Sequence, residues 1–316
     1  PVKDSPTMLP FDVPANTNKQ IWITVKVPAE APPGEYQGKL VITHAAGPPR
    51  NLDLRVQVLP IHLAPPAVIY SIYNELSLDP SGAGRVAARG QNEQQYRASL
   101  DNLVAHGVTN PLMTQALFGQ ASEKEHDNVV LFSRALAIRK AAGIRSPIMY
   151  YAVGDLGYET ERLDDEKQVA AWIGRIRRAR AFLKARGIDE LYLYGSDEAG
   201  GEIEGWRELQ ALREPYRMMK EAGAKIFAAT HPGAFDLIGD IQDMTVYPGY
   251  PNPQEARTWH NGGRVIFSYA NPQAGVTNPE VYRRNFGLLI WKNGFDGAMT
   301  FTYQCPFGNI WNDYDS

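Results

Sequence analysis

The run Leu191-Tyr192-Leu193-Tyr194-Gly195-Ser196, closed by Asp197-Glu198, reads as a buried strand that ends on two acids. Its shortness, its aliphatic and aromatic content and the glycine at its end favour strand over helix. A helical pattern precedes it over Asp165–Arg186 and another follows over Trp206–Ala222. A strand set between helices is the repeating unit of a parallel sheet. Working outward, further strand candidates fall at Val68–Tyr73, Val108–Met113, Pro147–Val153, Lys225–Thr230, Met244–Tyr247, Arg264–Tyr269 and Ala298–Tyr303. Helix candidates lie at Glu93–His106, Ser133–Ala142, near Phe235, at Gln254–Asn261 and at Pro279–Asn293. Eight such units match a (β/α)8 TIM barrel, whose eighth helix would lie beyond Ser316. The rival, a doubly wound open sheet, usually carries a glycine-rich phosphate turn after its first strand. Gly82-Ala83-Gly84 sits in a long loop and its spacing to Gly90 fails that pattern, so no dinucleotide site is expected.

The first sixty residues read differently. Ile21, Ile23, Val25 and Val27 alternate with Trp22, Thr24 and Lys26, the period of a half-buried strand. Pro32-Pro33-Gly34 gives a turn, residues 36–43 a second strand, Gly47-Pro48-Pro49 another turn, and Leu52, Leu54, Val56 and Val58 a third strand. Antiparallel strands with short links point to a β-sandwich. Three strands do not close one, so the expectation is a partial antiparallel β-sandwich over residues 1–62, with strands upstream of Pro1, then the barrel over 63–316.

Composition removes several classes of function. The net charge is −3, with 32 basic against 35 acidic residues, which disfavours nucleic acid and anionic membranes as partners. No apolar stretch approaches the ~20 residues of a membrane span. The single cysteine, Cys305, forms no internal disulfide and has no histidine beside it to activate it, so it reads as a small buried filler. The six histidines lack metal-ligand spacing, and Asn312, Asp313 and Asp315 lack the remaining ligands of a calcium loop. Neither metal nor cofactor is expected. The basic run Arg175–Arg186 falls on a helix whose Ile173, Ile176 and Leu183 face inward, so its charges read as a solvated face. The G-x-S-x-G elbow is absent. The chain starts at Pro1 without a leader and reads as processed or partial; a secreted or periplasmic address is expected.

A barrel carries its chemistry at the carboxyl ends of its strands. There the sequence puts Asn74 and Glu75 after strand one, and Tyr151, Asp155 and Tyr158 at strand three. Asp197 and Glu198 follow strand four, His231 strand five, Tyr247 and Tyr250 strand six, and Tyr269 and Asn271 strand seven. Tyr303, Gln304, Trp311 and Asn312 follow strand eight. Aromatic rings, amides and a few acids suit a sugar, whose apolar faces stack while its hydroxyls pair with polar groups. His231 is either a hydroxyl ligand or a loop cap, and Trp311 either a floor for a sugar face or a packing residue.

Three Asp-Glu pairs occur. Asp165-Glu166 opens a helix, where acids complement the dipole, and Asp189-Glu190 precedes strand four at the opposite end of the barrel. Asp197-Glu198 alone follows an apolar strand at the chemical end, where acids are costly unless paired or working. Adjacent Cα atoms lie about 3.8 Å apart. Two-carboxylate glycosidases hold their acids about 5–5.5 Å apart for retention and about 6.5–9.5 Å for inversion, on opposite sides of the scissile bond. Neighbours sit side by side instead. One can protonate the glycosidic oxygen while the other holds a group on C2, and an acetamido group there can supply its own carbonyl oxygen as nucleophile.

Ile21-Trp22-Ile23-Thr24-Val25-Lys26-Val27-Pro28 and Pro33-Gly34-Glu35-Tyr36-Gln37-Gly38 resemble the N-terminal β-module of glycoside hydrolase family 123. Tyr194-Gly195-Ser196-Asp197-Glu198 resembles that family's Asp-Glu catalytic motif, and Phe307-Gly308-Asn309-Ile310-Trp311-Asn312 its tryptophan-containing segment after strand eight. The resemblance implies a retaining, substrate-assisted exo-β-N-acetylgalactosaminidase acting on a glycan or glycoconjugate. It implies Glu198 as general acid/base and Asp197 as the residue orienting the acetamido group. Tyr247 or Tyr269 would bond the acetamido carbonyl. Two other readings stand beside it. One is a two-carboxylate glycosidase pairing Glu198 with Glu75, Asp155 or Asp296; the other is a non-catalytic carbohydrate-binding barrel.

Overall fold

A computed structural model describes residues 11–304 apart from 22, 46, 81–89, 119–124, 145–147, 153–155, 157–162, 202 and 270–278. The chain divides into two compact units, Pro1–Pro66 and Ala67–Ser316. In the first, β1 (Gly34–Ile42) and β2 (Arg50–Val58) form an antiparallel hairpin, in register from Gly34 opposite Val58 to Ile42 opposite Arg50. The alternation over 19–27 does not become a strand. Ile21, Ile23, Val25 and Val27 are 45%, 48%, 49% and 44% exposed. A strand needs a neighbour to take its backbone groups, and among the described residues the hairpin stands as a two-stranded sheet. The expected sandwich is therefore only a hairpin here.

The second unit is a mixed α/β fold on a seven-stranded parallel sheet. Its strands are β3 (Ile69–Asn74), β6 (Ile148–Tyr151), β7 (Glu190–Tyr194), β8 (Lys225–Ala229), β9 (Met244–Pro248), β10 (Val265–Tyr269) and β11 (Gly297–Tyr303), in the order β3-β11-β10-β9-β8-β7-β6. The short strands β4 (Ser77–Leu78) and β5 (Gly90–Gln91) pair apart from it. The candidate strand Val108–Met113 is not a regular strand, yet its backbone bonds both edges of the sheet. Thr109 and Leu112 N–H groups donate to Tyr70 and Ile72 of β3, and Met113 donates to Tyr150 of β6, each at 2.9 Å.

The helices follow their caps. Asn92 and Gln95 make a capping box for α1 (Glu93–Ala105), and α2 spans Glu125–Ala141. Asp165 caps α3 (Glu166–Lys184), accepting from the Lys167 and Gln168 N–H groups. The expected helix 206–222 divides into α4 (Ile203–Ala211) and α5 (Arg213–Glu221). Pro215 is the reason, since it lacks the N–H that would donate to the Ala211 carbonyl. A single turn, α6 (Phe235–Ile238), precedes α7 (Pro253–Asn261), which Asn252 caps. The last helical stretch runs through α8 (Pro279–Arg283), a π-helical segment (Arg284–Leu289) and α9 (Ile290–Lys292). No described helix is long and apolar enough to cross a membrane.

Period two along each strand sorts side chains into two layers. Tyr73, Leu112, Tyr150, Tyr192, Phe227, Val246, Phe267, Tyr269 and Met299 fill one face, with Tyr194 and Phe301 against them. The alternate positions meet the helices, Met149, Tyr151, Leu191 and Leu193 on one side and Tyr247, Ile266 and Ala298 on the other.

Candidate active site

The aromatic layer rises through Tyr150, edge-on to Tyr192 at 5.4 Å and Phe227 at 5.6 Å, toward the carboxyl ends of the strands. There it ends on three tyrosines. Tyr194 closes β7, Tyr269 closes β10, and Tyr73 is the next-to-last residue of β3. The Tyr73 ring stands edge-on to both others, 5.8 Å from each. Asp197 and Glu198 lie just beyond β7, after Gly195 and Ser196, and both are exposed. Tyr194 Oη donates to Asp197 Oδ1 at 2.6 Å. The Tyr269 hydroxyl lies near Glu198, close enough for the carboxylate to influence it. The Tyr73 hydroxyl is buried, and its contact with Tyr194 falls short of a well-formed hydrogen bond.

These hydroxyls are held protonated. Burial pushes all three phenols above their ordinary range. Hydrogen bonding to Glu198 raises Tyr269 further, and Tyr73 together with Asp197 does the same for Tyr194. Each is therefore neutral, with a proton to donate, at neutral pH. Among the described residues neither acid makes an ion pair, and the donor to Asp197 is a neutral phenol.

The local backbone is specific. Gly195 N–H donates to the Phe227 carbonyl at 2.8 Å, tying the end of β7 to β8. A Cβ at Gly195 would collide with the Tyr216 ring and hydroxyl from α5, so this close approach requires glycine. Glu198 has φ +50, in the left-handed region, where a non-glycine residue costs about 1–2 kcal/mol. Strain of that kind gathers where geometry serves a site. Ala199 then bridges Thr230, and the His231 ring lies against Gly201.

The structure thus brings Asp197, Glu198 and Tyr269 together and sets His231 beside the same loop. Asn74 is buried at the end of β3, where its side-chain oxygen accepts from the Leu76 N–H, a local turn; Glu75 follows it, half-buried. Three expected residues point elsewhere. The Tyr151 ring packs in the helix-facing layer on Phe132 and its hydroxyl accepts from Leu117 N–H. Tyr247 lies in the helix-facing layer against Phe295. Tyr303 donates to Asn102 of α1. Tyr151 and Tyr247 fall on the side of the alternation that lies under a helix, while Tyr303 shares the phase of Met299 and Phe301 and is turned toward α1 past the register shift between Thr300 and Tyr303. Asp296 sits before β11, at the other end of the sheet, with His260 and the Ile266 N–H. Asp155, Tyr158, Asn271, Cys305, Trp311, Asn312, Asp313 and Asp315 lie outside the described residues. Sequence reading passed over Tyr73 and Tyr194 as site residues; the inward phase set by Tyr192 would have flagged Tyr194. No group of residues that could hold a metal occurs among the described residues.

Residues 2–44 match the model of the glycoside hydrolase 123 N-terminal domain, in agreement with the resemblance carried by that stretch. The match supports a glycoside hydrolase with a glycan substrate. No curated protein matches the chain. Solved structures overlap it loosely. A protein provisionally named an alpha-L-fucosidase, from Bacteroides thetaiotaomicron VPI-5482, is 11% identical, covers 82% of this chain and 95% of its own, and has a TM-score of 0.44. A sugar phosphate isomerase/epimerase from Parabacteroides distasonis ATCC 8503 is 14% identical, covering 77% and 94%, with a TM-score of 0.41. A glycosyl hydrolase family 2 member from Bacteroides cellulosilyticus DSM 14838 is 11% identical, covering 85% of this chain and 34% of its own, with a TM-score of 0.44. Overlaps this loose say nothing about chemistry.

Proposed function

We propose that the chain is a retaining exo-β-N-acetylgalactosaminidase, built on a (β/α)8 barrel, that works by substrate assistance. One observation carries this reading: two adjacent, exposed acids at the carboxyl end of a strand, Asp197 held by the Tyr194 hydroxyl and Glu198 beside the neutral Tyr269 phenol. The bonds from 109–113 to both sheet edges support closure of the barrel. In the first step the acetamido carbonyl oxygen attacks C1. The C1–O bond to the leaving group breaks, and Glu198 gives that oxygen its proton. Asp197 accepts a hydrogen bond from the acetamido N–H and stabilises the positive charge that develops on the oxazolinium ring. In the second step Glu198 takes a proton from water, water attacks C1, the ring opens and configuration is retained. Tyr269, already at Glu198, is the better candidate than Tyr247 for the acetamido carbonyl. His231, Asn74 and Glu75 are proposed to meet sugar hydroxyls, and a secreted or periplasmic setting fits a glycan substrate.

The test is turnover on aryl β-glycosides with and without a 2-acetamido group. Glu198→Gln should lose roughly 10²- to 10⁴-fold on poor leaving groups. Asp197→Asn should lose strongly whatever the leaving group. Near-wild-type turnover in either variant removes the proposal.

A further inference from the structure

We infer that Tyr194 is a positioning residue that reserves one oxygen of Asp197 for the substrate amide, with Tyr73 as its brace. The inference rests on the reading just proposed and concerns how that site chooses an acetamido group. A carboxylate offers two oxygens. Tyr194 Oη takes Oδ1 at 2.6 Å, which leaves Oδ2 to accept a further donor. A secondary amide presents a single N–H, so one fixed, unoccupied oxygen matches it. A carboxylate free to rotate would share both oxygens among water and hydroxyls. The phenol is suited to this task because it is neutral: it orients the acid without cancelling the negative charge that steadies an oxazolinium.

The phenol is itself fixed. Its ring lies 5.1 Å from Phe227, tilted, and 5.8 Å from Tyr73, edge-on. Tyr73 is 7% exposed and stands at the same 5.8 Å from Tyr269, whose hydroxyl lies near Glu198. One buried ring therefore packs on the phenol beside each acid, which gives the two carboxylates a common frame.

The experiment uses the full chain, aryl 2-acetamido-2-deoxy-β-galactosides and the matching 2-hydroxy sugars. Tyr194→Phe is expected to lower kcat on the acetamido substrate roughly 10- to 100-fold with KM little changed. The preference for acetamido over hydroxy substrate should fall with it. In an Asp197→Asn background the same change should cost almost nothing, because the oxygen it orients has already been altered. Tyr73→Leu, which removes the bracing ring, should give a smaller loss of kcat in the same direction. Wild-type kcat in Tyr194→Phe, or losses that multiply in the double variant, overturn the inference. Should Tyr194→Phe melt below the assay temperature, Tyr73→Leu carries the test, and its turnover at the wild-type rate overturns the inference. An active Asp197→Asn brings down the functional reading and this inference together. An inactive Asp197→Asn beside an intact Tyr194→Phe brings down this inference alone.

Discussion

The two ends of the seven-stranded sheet treat their acids in opposite ways. At the amino end Asp243, Glu190 and Asp240 each meet a cation. Asp243 accepts from Lys220 at 2.7 Å, from Arg264 at 3.1 Å and from the Ile226 N–H at 2.9 Å. Glu190 pairs with Lys225, and Arg213 grips Asp240 with both nitrogens, at 2.8 and 2.7 Å. At the carboxyl end Asp197 and Glu198 meet tyrosines. An ion pair fixes a carboxylate by spending its charge; a neutral phenol fixes it and leaves the charge available. The first arrangement serves the fold, the second suits chemistry.

That contrast breaks most visibly at Asp243, whose side chain is 11% exposed. Asp243→Ala would leave Lys220 and Arg264 without their shared partner and the Ile226 N–H without an acceptor. Removing one partner of a buried pair costs about 3–5 kcal/mol, and the upper end of this is softened here because Lys220 is 29% exposed. Unfolding in urea should therefore show a loss of about 3 kcal/mol. The kcat of the folded fraction should stay at wild type. A large fall in kcat would mean that the amino end also shapes the site.

Gly195 sharpens the contrast from the other side. Gly195→Ala forces a Cβ against Tyr216 and must push the end of β7 away from α5. Overpacking of this kind costs about 1–3 kcal/mol. The strand end carries Tyr194, Asp197 and Glu198 together, so turnover should fall roughly 100-fold, far more than the change in stability alone would produce. Thermal unfolding and aryl-glycoside kinetics on the same sample separate the two. Wild-type turnover would show that the acids do not depend on where this strand ends.

Much of this was legible in the sequence. Leu191 to Ser196 gave its strand, and Asp165 its role as helix cap, because both depend on local chemistry. The Asp197-Glu198 pair stood out because acids at an apolar strand's end are expensive. Three things were not legible. Residues 19–27 alternate correctly, but alternation proposes a strand and only a hydrogen-bonded neighbour makes one. Tyr151, Tyr247 and Tyr303 were chosen for being near strand ends, yet one step of pleat turns the first two toward helices, and a register shift after Thr300 does so for Tyr303. Tyr73 lies on β3, more than a hundred residues upstream of Tyr194, and only the folded sheet brings the two together.

The smallest effect belongs to Asp240, which shows how little the amino-end pairs contribute when they face water. Hydrogen bonds from Arg213 hold its carboxyl below the ordinary carboxylate range. The pair stabilises the fold while Asp240 is ionised in both states, that is, above the unfolded value near 3.9. That contribution fades as pH falls from there through the depressed folded value, since the folded protein then also takes up the proton. The Asp240 side chain is 62% exposed, so solvent and salt screen the pair to about 1 kcal/mol or less. Asp240→Asn should thus lower stability slightly at pH 7 and by progressively less below pH ~4, with the gap shrinking further in high salt. A difference between variant and wild type that stayed constant from pH 7 to pH 2 would show that Arg213 braces the α6 turn through the Leu237 carbonyl, its other partner, rather than through the charge of Asp240.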